Sequence, residues 1–339
     1  MEQLKYGHIL NFVYETPWAI LPSKMAIILD LLSLRASGGM LTEEEIQARI
    51  GAVAKPQNRN VGAIAVLPLF GTIIPRGNMM MESSGATSVE RFTQQFRQAM
   101  ADPQVGGVLV DIDSPGGNVQ GVAELADEIH AARGVKPIAA IANSLAASAA
   151  YWIGTSADEL SVTPTGEVGS IGVFAAHEDI SALMEKRGVK TTIISEGKYK
   201  TEGHPYGPLD DEARAAIQER VGEYYGMFID AVGRNRGVAA SDVRAGFGEG
   251  RVVGAKKAKQ LRMADYVETM DGAMQRLARR MMKGASGNAK AEDEPMVFQA
   301  IEMTEAEKAI IEQQEAYLLL LAQAGGLDLR RRRLKLAGK

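Results

Sequence analysis

Between Val61 and Met282, short apolar runs alternate with stretches of helical period. Ala63–Phe70, Gly107–Ile112, Pro137–Ala142, Leu160–Thr163, Ile171–Ala175 and Thr191–Ser195 are apolar or β-branched runs bounded by turn residues, the pattern of buried strands. Phe92, Phe96 and Met100 recur at helical spacing behind a capping sequence, Thr87-Ser88-Val89-Glu90. Val119, Val122, Leu125 and Ile129 mark a second helix face. Ala146–Ile153 predicts a short buried helix, Ile180–Arg187 another, and Leu209 to about Val232 a long amphipathic one. Two shorter helices are expected near Ser241 and Gly254. Strands alternating with helices predict an α/β fold with mostly parallel pairing.

The flanks read differently. In residues 1–60, Pro17-Trp18-Ala19-Ile20-Leu21-Pro22 is an extended apolar knot between prolines, and Met25–Leu34 is helical in pattern. Thr42-Glu43-Glu44-Glu45 has capping-box spacing and starts a helix through Ile50. Gly51–Asn60 reads as a linker. Beyond Met282, Gly284–Pro295 is polar linker sequence, and Thr304-Glu305-Ala306-Glu307 caps an expected helix to about Ala324. The division is thus a helical N-terminal arm (1–60), a central domain (61–282) and a linker with a helical, basic tail (283–339).

Composition narrows the chemistry. The 339 residues are 46% hydrophobic and 24% charged, an ordinary globular balance. With no cysteine, a thiolate nucleophile, a disulfide scaffold and a cysteine-built metal site are excluded. His8, His130, His177 and His204 have no metal-ligand spacing, so neither metal nor other cofactor is expected. The net charge of −4 does not suit a polyanion binder, and the basic end Arg330–Lys339 lacks the interleaved aromatics of a nucleic-acid surface. The apolar stretch Met25–Leu34, broken by Asp30, is short of the roughly 20 residues that span a bilayer, so a soluble intracellular protein is expected.

Four motifs remain. Asp113-Ser114-Pro115-Gly116-Gly117 follows a strand and precedes a helix, where exposed amides can meet an anionic oxygen. It is also a plain βα turn. Ala146-Ala147-Ser148-Ala149-Ala150 puts a hydroxyl at a strand-to-helix junction, a place for a nucleophile and equally a close-packing helix start. Gly169-Ser170-Ile171 sets a second hydroxyl at a strand start. Ser195–Thr201 carries Lys200, a solvated charge unless burial makes it a base.

In order, DSPGG at 113–117, AASAAYWIG at 146–154, TGEVGSIGV at 165–173 and EGKYKTEGHP at 196–205 resemble the signal peptide peptidase A family of serine peptidases, over roughly residues 61–282. The resemblance implies a Clp-protease/crotonase-like ββα-repeat core. It implies Ser148 as nucleophile, Lys200 as general base, Ser170 as the hydroxyl that positions the lysine amine, and the Gly117 and Ala149 amides as oxyanion hole. The N-terminal sequence HILNFVYETPWAILPSKMAIILDLL followed by LTEEEIQARIG looks like the head maturation proteases of tailed phages and prophages (minor capsid protein C type). That implies a homo-oligomeric ring with sites facing a chamber, with the lysine able to come from a neighbouring protomer. It also implies scaffold, portal or self as substrate, in the host cytoplasm and procapsid. Beside a crotonase-type acyl-CoA enzyme, which shares the fold and the oxyanion hole, two other readings remain. One is a Clp-type Ser-His-Asp peptidase, with His177 as the available histidine. The other is a non-catalytic capsid-assembly or scaffold protein.

Overall fold

The computed structural model describes residues 13–14, 16–36, 58–77 and 85–285. The expected helix from Thr42, the linker before residue 58 and the linker and tail beyond residue 285 lie outside the described residues.

The strands are β1 (Trp18–Ile20), β2 (Arg59–Val61), β3 (Ile64–Phe70), β4 (Ile73–Ile74), β5 (Thr87–Ser88), β6 (Gly107–Ser114), β7 (Gly116–Asn118), β8 (Ile138–Ala147), β9 (Glu159–Val162), β10 (Glu167–Gly169), β11 (Val252–Gly254) and β12 (Tyr266–Val267). The helices are α1 (Pro22–Ala36), α2 (Val89–Ala101), α3 (Val122–Ala131), α4 (Ala149–Thr155), α5 (Ser181–Lys186), α6 (Asp211–Arg236), α7 (Ala240–Gly246), α8 (Ala255–Gln260) and α9 (Met270–Ala285). Parallel ladders β3–β6, β6–β8, β8–β9 and β8–β10 form the centre of the larger sheet. β8 forks: Ala139–Ala142 pair with β9, and Leu145–Ala147 pair with β10 on the way to the site. A smaller sheet runs in the order β1-β7-β4-β5.

Both faces of the larger sheet are covered, which is why its strands are apolar without alternation. On one side Phe92 and Phe96 of α2, Leu125 and Ile129 of α3, all of α4 and the end of α6 join Val108, Val110 and Ile112 in the main core. Each large side chain so buried contributes about 1.5–3 kcal/mol. On the other side Ala273 and Leu277 of α9 cover Val66, Leu109 and Ile141. Ser88 accepts from the Arg91 amide and caps α2; Asp210 does the same for α6 through Ala213.

Two expected strands do not form. Thr191–Ser195 is wholly exposed and carries no strand; among the described residues none pairs with it. In Ile171–Ala175 only Phe174 makes a bridge, to Trp18. Conversely, α9 and the short strands β10–β12 were not anticipated. α9 hides its apolar face in a sequence rich in arginine, and strands of two or three residues carry no period.

Candidate active site

β8 ends at Ala147, and the chain turns into α4 through Ser148. That serine has φ 55° and ψ −121°, a backbone state that L-residues with a Cβ rarely hold. Such a turn stores roughly 1–3 kcal/mol and persists only where neighbours fix it. They do: the Ser148 amide donates to Gly169 O at 2.7 Å, and its carbonyl accepts from the Trp152 amide at 3.0 Å. Trp152 is locked in turn by stacking on Phe228, with centroids 4.7 Å apart. The residue is 1% exposed, and its Oγ points at Gly172 O at 3.4 Å, a long contact that leaves the hydroxyl lightly held.

Gly116 and Gly117 lie against this turn. A Cβ on Gly116 would stand 2.9 Å from Ser148 Cβ and 2.9 Å from Ala147 O, and the glycine has φ +93°, so no other residue fits. Ser114 Oγ accepts from the Gly116 amide at 3.2 Å and donates to Gly71 O at 2.6 Å, which fixes the loop. Ala149 opens α4, where an amide has no intrahelical acceptor. Hydroxyl, glycine edge and helix start therefore meet at one point, the arrangement needed for attack on a carbonyl and stabilisation of the oxyanion.

Ser170 is brought close as well. It follows Gly169, whose carbonyl holds Ser148; it is buried, has φ 53°, and its amide donates to Arg251 O at 2.8 Å. Lys200 is not brought to the serine within this chain. It sits on an exposed turn, with its amide donating to Gly197 O at 3.1 Å. The turn is tied to the start of α6 by Lys198 and the Tyr199 hydroxyl, both on Glu212. His177 faces away, its Nε2 against His204 O at 3.2 Å. Beside the site, Ser144 Oγ donates to Asp113 Oδ1 at 3.0 Å. Further down β6, burial and then repulsion from Asp113 outweigh Asn143 and Arg59 and raise the Asp111 carboxyl above its ordinary value.

One part of the site escaped the sequence reading. β1 pairs antiparallel with β7, placing Trp18, Ala19 and Ile20 opposite Asn118, Gly117 and Gly116. The only signal for it was the apolar knot between Pro17 and Pro22.

Residues 130–283 match Peptidase family S49. The chain is 32% identical over 252 residues to capsid assembly protease C of Escherichia phage lambda, covering 70% of this chain and 57% of that protein. It is 37% identical over 205 residues to the head-tail preconnector protein GP5 of Enterobacteria phage P21, covering 60% of this chain and 41% of the relative. A putative signal peptide peptidase SppA from Enterococcus faecium is 28% identical over 215 residues, covering 63% of this chain and 62% of that protein. The chain spans about half the length of the two phage proteins it matches.

Proposed function

As a chain that carries a Peptidase family S49 domain over residues 130–283, the protein is, we propose, a serine peptidase of phage head assembly that works through a Ser148–Lys200 dyad. The observation that carries this reading is the strained strand-to-helix turn at Ser148 with the Gly116–Gly117 edge packed against it. Neutral Lys200 takes the proton from Ser148 Oγ, and Oγ attacks the substrate carbonyl. The Gly117 and Ala149 amides hold the oxyanion. The lysine then protonates the leaving amine, and water hydrolyses the acyl-enzyme. Ser170 positions the lysine amine. The ladders β3–β6–β8 and the helices that cover them are assigned to a Clp-protease/crotonase-like core, within the partition 1–60, 61–282 and 283–339.

Lys200 reaches a serine from a neighbouring protomer, so the working form is a homo-oligomeric ring. The segment around the lysine supports this. Ile194 is 95% exposed, and Leu183, Val189, Ile193 and Tyr206 of the same stretch of sequence are exposed too, apolar surface that suits a partner. Most of the first half of α6 is exposed as well. The substrates are capsid-related proteins, scaffold, portal or the chain itself, as the names of the two phage relatives suggest. Among the described residues no helix is long and apolar enough to cross a membrane, which fits action in the host cytoplasm and procapsid.

Intact mass followed over time for wild type, Ser148→Ala and Lys200→Ala tests the reading. Trimming of wild type alone, or of added procapsid proteins by wild type alone, is the expected result. Trimming by both variants at the wild-type rate would sink the dyad.

A further inference from the structure

We propose that residues Pro17–Leu21 of this chain lie in the substrate groove of Ser148, in the register of a substrate, and keep the enzyme closed until they are displaced. The inference deepens the serine-peptidase reading and rests on it.

β1 is held on two sides. On one, Leu21 N donates to Pro115 O at 3.0 Å, and Ala19 stands opposite Gly117. On the other, Trp18 N donates to Phe174 O at 2.8 Å, and Trp18 O accepts from Phe174 N at 3.0 Å. The segment thus fills a slot between the glycine edge and the chain after Ser170. An incoming polypeptide that binds by strand addition needs the same two edges.

The register decides what the slot contains. In an antiparallel ladder, hydrogen-bonded pairs alternate with non-bonded ones. Because Leu21 bonds Pro115, the pair two residues back, Ala19 and Gly117, is also a bonded one. Trp18 turns its amide and carbonyl to Phe174, which agrees. The Gly117 amide is therefore directed at Ala19 O, the place a scissile carbonyl would take. A methyl on Gly116 would meet Ala19 O at 2.2 Å and Ser148 Cβ at 2.9 Å, so arm carbonyl and nucleophile face each other across one glycine. Ala19 is fully buried there.

Apart from Ala19, which joins the main core, the arm packs largely on itself. Trp18 and Ile20 pack with Val13 and Met25 and with Ile28 of α1, in a cluster separate from the main core. Among the described residues Phe174 is its one member from beyond the arm. The Trp18 indole N–H donates to Val13 O at 2.8 Å. A unit that packs on itself and docks through backbone pairing can lift away without opening the core.

The chain has no cysteine, which allows a clean lock. Trp18 and Phe174 are a bonded antiparallel pair, with Cα atoms about 5.5 Å apart, a separation a disulfide spans. The test compares labelling of Ser148 by a fluorophosphonate in the full-length Trp18→Cys, Phe174→Cys protein, oxidised and reduced, with Ser148→Ala as blank. Locking the arm should slow labelling about tenfold or more, because only the open fraction reacts, and reductant should restore it. Equal labelling in both states overturns the arm proposal and leaves the peptidase reading intact. No serine-dependent labelling in either state removes both. Independently, in the Ser148→Ala background, a labelled synthetic peptide of residues 13–22 should bind a folded Ala19→Arg variant and not its parent. Failure to bind that folded variant also overturns the proposal.

Discussion

The turn that holds Ser148 and the loop that holds Lys200 are opposite kinds of structure. The first is buried on every side, strained and fixed by backbone bonds to Gly169 and Trp152. The second is exposed along its length, and its ties are an ion pair between Lys198 and Glu212, both well exposed, and the Tyr199 hydroxyl on the same Glu212. One chain therefore brings Ser148, the Gly116 edge and the start of α4 together and leaves Lys200 exposed and apart from them. On the proposed dyad, the contrast makes half of the site a folding problem and half an assembly problem.

Mixing variants breaks the comparison most sharply. Loss of Lys200 as general base should lower peptidase activity about 10²–10⁴-fold, and Ser148→Ala should lower it further. If the two halves meet between protomers, mixed and reassembled Ser148→Ala and Lys200→Ala chains regain activity in a peptide-cleavage assay. A mixture as inert as its parts would place both groups in one chain.

Stability should divide along the same line. Trp152→Ala beside the serine turn empties a fully packed site and should cost about 3–5 kcal/mol in urea unfolding. Ile194→Ala, on a side chain 95% exposed, should leave monomer stability within about 0.5 kcal/mol. It should instead shift sedimentation toward smaller species. A large loss of stability at Ile194 would mean the loop is folded against its own chain.

A smaller effect is expected on acidification. Burial pushes the Asp265 carboxyl up, but the Arg236 hydrogen bond and charge, with the Leu160 amide, hold it below its ordinary value of 3.8. A depressed carboxylate contributes stability in full above the unfolded value, and loses it as pH falls through the folded one. The melting temperature should drop below about pH 4, and Asp265→Asn should flatten that limb. An unchanged acid slope in the variant would count against the assignment. Least of all, Lys198→Ala removes only an exposed pair and should change stability by less than about 1 kcal/mol, measured by denaturant melts.

The apolar runs of β3, β6 and β8 and the faces of α2 and α3 were legible because period and burial coincide there. The order of small-residue motifs was enough to carry the family resemblance, which implies Ser148, Ser170, Gly117, Ala149 and Lys200 as one set. Thr191–Ser195 misled because β-branched residues describe a preference for ladder partners, and the described residues supply none. α9 stayed hidden because its arginines, Arg276 on Glu159 and Glu268 among them, mask an apolar face that closes the second side of the sheet.

By itself, the sequence determined the alternating α/β plan, the exclusion of thiol chemistry and the set of groups available for catalysis. Only the tertiary structure decided which of them meet. It bent Ser148 onto the Gly116 edge, left Lys200 in solvent and laid Trp18–Ile20 opposite Gly117. Local pattern records what each segment can bury. Which segment lies across another depends on pairings between residues as distant in sequence as Trp18 and Phe174, and no period along the chain encodes those.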